Sequence, residues 1–425
     1  MALLTKAIKG TQDIMPTEVY KNQFIEQTVL DIAGKFGFKE IRTPVFEHTG
    51  VFQKENDTSD MVTKEMYTFS PNEKDSLTLR PEGTAGVIRS FVEHKMYGNA
   101  ELPIKLAYIE EMFRHERPQK GRQRQFTQMG VECIGEKNPL IDAETIALGY
   151  FYVKALGLNS IKVLINTLGD NESRIQYKQD LIDYFKPHRD ELCFDCQNRL
   201  EKNPLRILDC KVDHELDVIK NAPKMRLTKQ ASDYFEQVKK YLEILGIPYE
   251  VDDRLVRGLD YYTDTVFEVV STREESGSQS TIFGGGRYDN LVKEMGGPEL
   301  SGIGFAIGVE RLVILCDAEQ VFDEYKPELD CYVINLNETA DYALDITETL
   351  RHNGLLSEMD YYGRSLKAQF KSSERKNARF VIIIGEDEIK NNVVTLKDTL
   401  TKAQETVKKD ELVSRIDQIM EDYYE

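Results

Sequence analysis

Apolar residues at Val19, Phe24, Ile25, Val29, Ile32 and Phe36 recur at the spacing of one helix face, and Gly37 ends the run, so a helix is predicted over 18–36. Extended chain follows at 39–46, where Pro44 is tolerated only at an edge or bulge. Strands are predicted at 77–80, 104–113 and 125–135, and helices at 83–97 and 141–156. Past Gly169 the pattern turns to charged helical segments, 173–185 and 228–245, joined by turns at Pro187, Pro204 and Pro223. These read as a helical domain inserted at 170–248. Short strands resume at 255–271, 280–283 and 302–305, and a helix begins at 309–316. Strands in adjacent runs, without strict alternation with helices, predict a mostly antiparallel sheet. After the linker FDEYKPE, the segments 330–335, 340–353, 355–359, 366–376, 380–384 and 392–397 read strand, helix, strand, helix, strand, strand, with a last helix near 409–420. The chain therefore divides into 1–325, interrupted by 170–248, and a small α/β domain at 326–425, of a usual size for an independent unit.

Length agrees with this division, because single cores stop growing at about 250 to 300 residues and the chain has 425. The opening MALLTKAIKG lacks a secretory core and no stretch of about 20 apolar residues occurs, so a cytoplasmic protein with no membrane segment is expected. Six unevenly spread Cys make no disulfide framework, and KDEL at 409–412 is internal and so no retention address.

A net charge of -18 opposes indiscriminate coating of nucleic acid. Cations nevertheless gather in two places. FRHERPQKGRQRQF carries Arg114, Arg117, Lys120, Arg122 and Arg124, and GRSLKAQFKSSERKNARF carries Arg364, Lys367, Lys371, Arg375, Lys376 and Arg379. One such stretch is ordinarily a solvated face. Two, far apart in sequence, point to anionic ligands held locally.

Gly302, Gly304 and Gly308 miss the dinucleotide-binding spacing by one residue, and no GxxxxGK[ST] loop occurs, so any use of ATP is without a Walker loop. Cys193-x2-Cys196 followed by Cys210-x3-His214 offers four zinc ligands, although the second pair is loosely spaced and ordinary thiols explain the set as well. RGLDYYTDTVFEV, from Arg257, joins a rigid donor fork to two directional hydroxyls at the start of a predicted strand. Alternation would put Arg257, Leu259 and Tyr261 on one face and Asp260 and Tyr262 on the other, unless Gly258 bends the chain. LRPEGTAG, from Leu79, launches a helix with Glu82 and Thr84 near its start, which is either a site or plain capping. SGIGFAIGVERL, from Ser301, runs a small-residue strand into a helix bearing Glu310 and Arg311. Its glycines permit either close approach of a flat ligand or tight packing.

Together these stretches resemble the class II aminoacyl-tRNA synthetases. Gly37-Phe38 through Pro44-Val45-Phe46 is similar to motif 1 of that class, Phe113-Arg114-His115-Glu116 with its loop and 125–135 to motif 2, and 304–312 to motif 3. LRPEGTAG, FRHERPQKGRQRQF and above all RGLDYYT resemble the histidine-specific branch, and the resemblance runs through the whole chain. It implies an α+β catalytic domain with an antiparallel sheet, a helical insertion, a C-terminal α/β anticodon-binding domain and a homodimer built around motif 1. It further implies ATP and Mg²⁺ as cofactors, and L-histidine and histidine tRNA as partners, in adenylate formation followed by transfer to the terminal ribose.

By the same resemblance, Arg114 and Arg257 are catalytic, gripping the α-phosphate and the carboxylate, while Arg122 and Arg311 hold the distal phosphates. Glu132 and Tyr262 face the imidazole, Glu82, Thr84 and Gln128 take the α-amino group, and Tyr261 lines the pocket. Arg117 and Lys120 at the loop tip, and Arg364, Lys367 and Lys371 in the terminal domain, are expected to meet tRNA. The resemblance requires no zinc, so no resident metal is expected. Two rivals make distinct demands. A regulatory subunit of histidine biosynthesis would lose RGLDYYT and the terminal domain, and a non-catalytic RNA-binding paralogue would erode Arg114, Arg257 or Glu82; this sequence keeps all of them.

Overall fold

The computed structural model describes residues 6–53, 61–72, 74–98, 101–119, 121–208, 210, 212–256, 261–273, 281–323, 329–336 and 339–424. They fall into two compact units, Met1–Glu324 and Tyr325–Glu425.

The first unit is organised by an eight-stranded sheet in the order Lys39–Glu40, Ile104–Phe113, Gln125–Gly135, Ser301–Gly308, Thr281–Tyr288, Thr263–Ser271, Ile161–Thr167, Tyr249–Val251. Every pairing is antiparallel except the two at the edges. Strand alternation gives the sheet two unlike faces. Along Gln125–Gly135, Met129, Val131 and Cys133 point into the main core, where Phe267, Phe283 and Phe305 from neighbouring strands meet Ile146 and Tyr152 of the helix Pro139–Ala155. Gln128, Gly130 and Glu132 point the other way.

Several boundaries differ from the sequence pattern. The strand predicted at 280–283 continues through Gly284, Gly285 and Gly286 to Tyr288. This glycine run is a close-packed strand and no turn, since a Cβ at Gly285 would lie 2.1 Å from the carbonyl oxygen of Gly304. The strand predicted at 255–271 starts at Thr263, and 257–260 lie outside the described residues. Around Pro44, which has no N–H to give a ladder, 39–46 yields only Lys39–Glu40 and the start of Phe46–His48; the latter joins Leu77–Leu79 and Tyr67–Phe69 in a separate sheet.

The helices Asn171–Phe185 and Phe194–Lys202 close over their own small core, which includes Leu181, Phe185, Cys196 and Ile207. The helix Lys229–Ile244 does not belong to it. Its buried Phe235, Val238 and Leu242 join the main core, so the span 170–248 includes a helix that packs with the sheet.

In the second unit the sheet order is Ser357–Met359, Cys331–Asn335, Phe380–Ile384, Val393–Asp398, Gln404–Lys408, with the first three strands parallel and the rest antiparallel. The fifth strand escapes the hydrophobic pattern because only Val407 of QETVK is buried. The last helix is Leu412–Tyr424, after a short turn of 3-10 helix at Lys409–Glu411. Among the described residues, no helix is long and apolar enough to cross a membrane.

Candidate active site

The polar face of the large sheet is shaped by what its glycines leave out. Gly304 lies opposite Glu132 in the ladder, and a Cβ there would come within 2.1 Å of Glu132 Oε2. Gly130 faces Tyr108 and Gly302 faces Tyr288, each with room for a ring only because a Cβ, which would sit 2.2 Å from it, is missing. Glycine thus lets a carboxylate and two phenol rings lie flat on the strands.

Glu132 is held at both oxygens: the Thr84 hydroxyl donates to Oε1 at 2.7 Å and the Tyr288 hydroxyl to Oε2 at 2.6 Å. Burial pushes its carboxyl up to about 8, against the opposing effect of these two hydroxyls. Glu82 accepts the backbone N–H groups of Thr84 and Ala85, both at 2.7 Å, at the N-terminus of the helix Thr84–Glu93, where an anion is favoured. Burial raises its carboxyl too, against those N–H groups and the Arg114 charge. Tyr261 packs on Tyr262, centroids 4.8 Å apart, and on Tyr288 at 5.9 Å. Among the described residues, the buried hydroxyls of Tyr108 and Tyr261 and the buried side-chain oxygen of Gln128 find no hydrogen-bond partner. Orphaned polar atoms of this kind are costly unless a ligand answers them.

Beside this nest opens a groove of about 630 Å³, lined by Arg114, Arg122, Arg254, Arg311, Gln128 and Phe126 together with Glu116, Glu268 and Glu310. Its arginines rest on internal acceptors. Arg114 donates from Nε to the Pro81 carbonyl at 2.7 Å, with its guanidinium 5.2 Å from the Phe126 ring. Arg122 pairs with Glu116 at 3.4 Å, and Arg311 donates to the Thr281 carbonyl. Arg311 is pushed below its ordinary pKa by burial and then by the Arg122 charge, a strain that a polyanion between the two would relieve. Glu310 is fixed by accepting the Thr127 N–H at 2.7 Å.

The predicted residues accordingly divide. Glu82, Thr84, Glu132, Tyr261 and Tyr262 form the buried nest, while Arg114, Arg122, Gln128 and Arg311 line the groove. Arg117 is exposed on the connecting loop, and Lys120 and Arg257 lie outside the described residues. Tyr108 and Tyr288 were not anticipated. One signal in the sequence pointed to Tyr288, the glycine triplet Gly284, Gly285 and Gly286 just before it.

In the second unit, Arg364 is tied to buried Asp360 and to Ser372 Oγ at 3.0 Å. Lys367 and Lys371 are exposed on the helix Leu366–Arg375, near the exposed rings of Tyr361 and Tyr362 in sequence. In the helical module, His214 is exposed beside Glu215 and stands apart from the cysteines; Asp213 takes the fourth place next to Cys193, Cys196 and Cys210. The spacing is therefore Cys210-x2-Asp213, and the x3 spacing to His214 is corrected.

The family model described as histidyl-tRNA synthetase matches residues 10–171 and 196–312, and an anticodon binding domain model matches 330–419. The chain belongs to the histidyl-tRNA synthetase family. It is 50% identical to the histidine–tRNA ligase of Bacillus cytotoxicus over 412 residues, 96% of this chain and 97% of that one. It is 51% identical to the histidine–tRNA ligase of a Geobacillus species over 403 residues, 94% and 95% of the two chains. The apo S. aureus histidyl-tRNA synthetase structure is similar with a TM-score of 0.83 at 40% identity, covering 97% of this chain and all of that one. The fold is that of the class II synthetases, with an antiparallel catalytic sheet and a C-terminal anticodon-binding domain.

Proposed function

We propose that the protein is a histidine–tRNA ligase, which joins L-histidine to ATP as histidyl-adenylate with release of pyrophosphate and then passes histidine to the 3'-terminal ribose of histidine tRNA. The observation that carries this reading is a buried nest with two carboxylates opening beside an arginine-lined groove. An imidazole has one donor and one acceptor when neutral, and the α-amino group is a donor throughout. Glu132 and Tyr262 take the ring, Glu82, Thr84 and Gln128 take the amino group, and Tyr261 forms the wall.

Arg114 belongs to both compartments: it rests on Pro81 beside Glu82 and lines the groove. In this reading it sits where the histidine carboxylate attacks the α-phosphorus, and with Arg257 it answers the negative charge that grows there. Arg122 and Arg311 take the distal phosphates, leaving Glu116 and the Thr281 carbonyl to do so. Glu268 and Glu310 supply the oxygen donors that Mg²⁺ accompanying ATP would use, neutralising phosphate charge.

Arg117 and Lys120 then meet the acceptor end of the tRNA, and Arg364, Lys367 and Lys371 its backbone near the anticodon. Exposed Tyr361 and Tyr362 offer unstacked bases a surface. Phe46 and Phe69 are exposed on the small sheet and Val45 just before it, with the two Phe rings 6.2 Å apart, which supports a homodimer built around motif 1. The setting is cytoplasmic. Histidine-dependent exchange of labelled pyrophosphate into ATP tests the first step. Exchange with histidine and charging of histidine tRNA are expected; absence of exchange in folded protein would overturn the assignment.

A further inference from the structure

Cys193 caps the N-terminus of the helix Phe194–Lys202, Cys196 lies in its first turn, and Cys210 and Asp213 come from the turn that follows the 3-10 helix Pro204–Ile207. The four ligand atoms, three Sγ and one carboxylate oxygen, all lie within 4.8 Å of one another. Cys193 Sγ and Cys210 Sγ are 3.7 Å apart. That is far beyond a disulfide bond, but two sulfurs bound to one tetrahedral zinc at about 2.3 Å each stand about 3.8 Å apart. Asp213 is 3% exposed and, among the described residues, has no cationic partner; it accepts the Cys193 N–H at 3.0 Å and is otherwise surrounded by thiols. A buried carboxylate without a cation is costly unless a metal answers it.

We propose that Cys193, Cys196, Cys210 and Asp213 bind one structural Zn²⁺ that holds the helical module together. The ligand order is C-x2-C and C-x2-D, two knuckles thirteen residues apart. Binding Zn²⁺ replaces the three thiol protons, which go to solvent, and leaves the same formal charge as a four-thiolate zinc site. With four protein ligands no position is open for water or substrate, so the metal is structural and takes no part in adenylation. A module with so small a core gains most from such a staple.

The test uses the full chain, purified under reducing conditions from zinc-supplemented cells and dialysed against EDTA, with metal measured by mass spectrometry. One zinc per chain is expected. After removal with a mercurial and reduction, Co²⁺ should give the visible bands of a tetrahedral thiolate-rich site, saturating at one per chain and displaced by Zn²⁺. Cys210→Ser and Asp213→Ala should lose this signal or its stoichiometry, whereas His214→Ala and Cys316→Ser should keep both. Wild-type protein with no retained zinc and no cobalt spectrum would overturn the proposal. So would a Cys193–Cys210 disulfide trapped by alkylation in intact cells, which would make the pair a redox couple, and so would loss of binding in His214→Ala.

Discussion

Arg287 and Tyr288 are neighbours on one strand and point to opposite faces of the sheet, where they serve two buried polar networks of opposite design. Arg287, 1% exposed, donates from Nε to Asp142 Oδ1 at 2.9 Å and also reaches the Ser301 hydroxyl, while Asp142 accepts the Tyr234 hydroxyl at 3.1 Å. This network pairs cation with anion and runs on through the Ser301 hydroxyl to Asp289 and from there to Lys137. Tyr288 serves a nest with two carboxylates, Glu82 and Glu132, and with orphaned oxygens at Tyr108, Tyr261 and Gln128. A network that pairs charge with charge fixes the helix Pro139–Ala155 to the sheet. An open one keeps hydrogen-bonding capacity for a ligand.

Substitutions on the two sides should therefore separate stability from activity. The largest effect is expected at Arg287→Met, which leaves Asp142 buried without a cation and should cost about 3–5 kcal/mol in urea unfolding, with exchange activity per folded molecule preserved. Adding Asp142→Leu should restore much of the loss, and failure to do so would break the picture of a closed pair. Next comes Arg114→Ala, expected to slow adenylate formation by about 10² to 10³ while the unfolding midpoint stays in place; Arg257→Ala should behave alike, and equal losses in histidine binding and rate would mean that either residue only anchors substrate.

Gly304→Ala sharpens the comparison, since the new methyl group would meet Glu132 Oε2 and the carbonyl oxygen of Val131. A loss of about 1–3 kcal/mol in stability and a raised KM for histidine are expected. Glu132→Gln tests the nest through pH. Burial raises the Glu132 carboxyl to about 8, so between the unfolded carboxyl range and about 8 the folded state holds a proton that the unfolded state has released. Stability from this group is full below the unfolded pKa and is lost as pH rises through the folded one, by at most about 1.4 kcal/mol per pH unit. Glu132→Gln should remove its share of that slope, leaving the shares of Glu82, Asp264 and Glu310, whose carboxyls burial also raises. Smallest is the double change Lys367→Ala and Lys371→Ala, expected to weaken tRNA use and flatten its salt dependence with adenylation untouched.

How much of this was legible in the sequence depends on the signal each residue gives. The strands 104–113 and 125–135 were read with the observed bounds, because their residues bury enough apolar surface to show. Glu82, Thr84 and Arg114 were named in advance because their motifs are local. Tyr108 and Tyr288 were not, since the room for their rings comes from a missing Cβ on the paired strand, at Gly130 and Gly302, and pairing is not written in either strand alone. Asp213 was passed over for His214 one residue later, because spacing alone cannot say which side chain a turn directs inward. The strand Gln404–Lys408 has one buried residue and so gives no alternation to read.

The central claim is that the open nest reads the nitrogens of an imidazole ring. Pyrophosphate exchange with L-histidine should be compared with exchange driven by 2-thienylalanine, which has a five-membered aromatic ring of similar size without nitrogen. A nest whose buried polar groups would be left unpaired predicts a kcat/KM lower by about 10⁴-fold or more for the analogue. Comparable rates for the two amino acids would contradict the account.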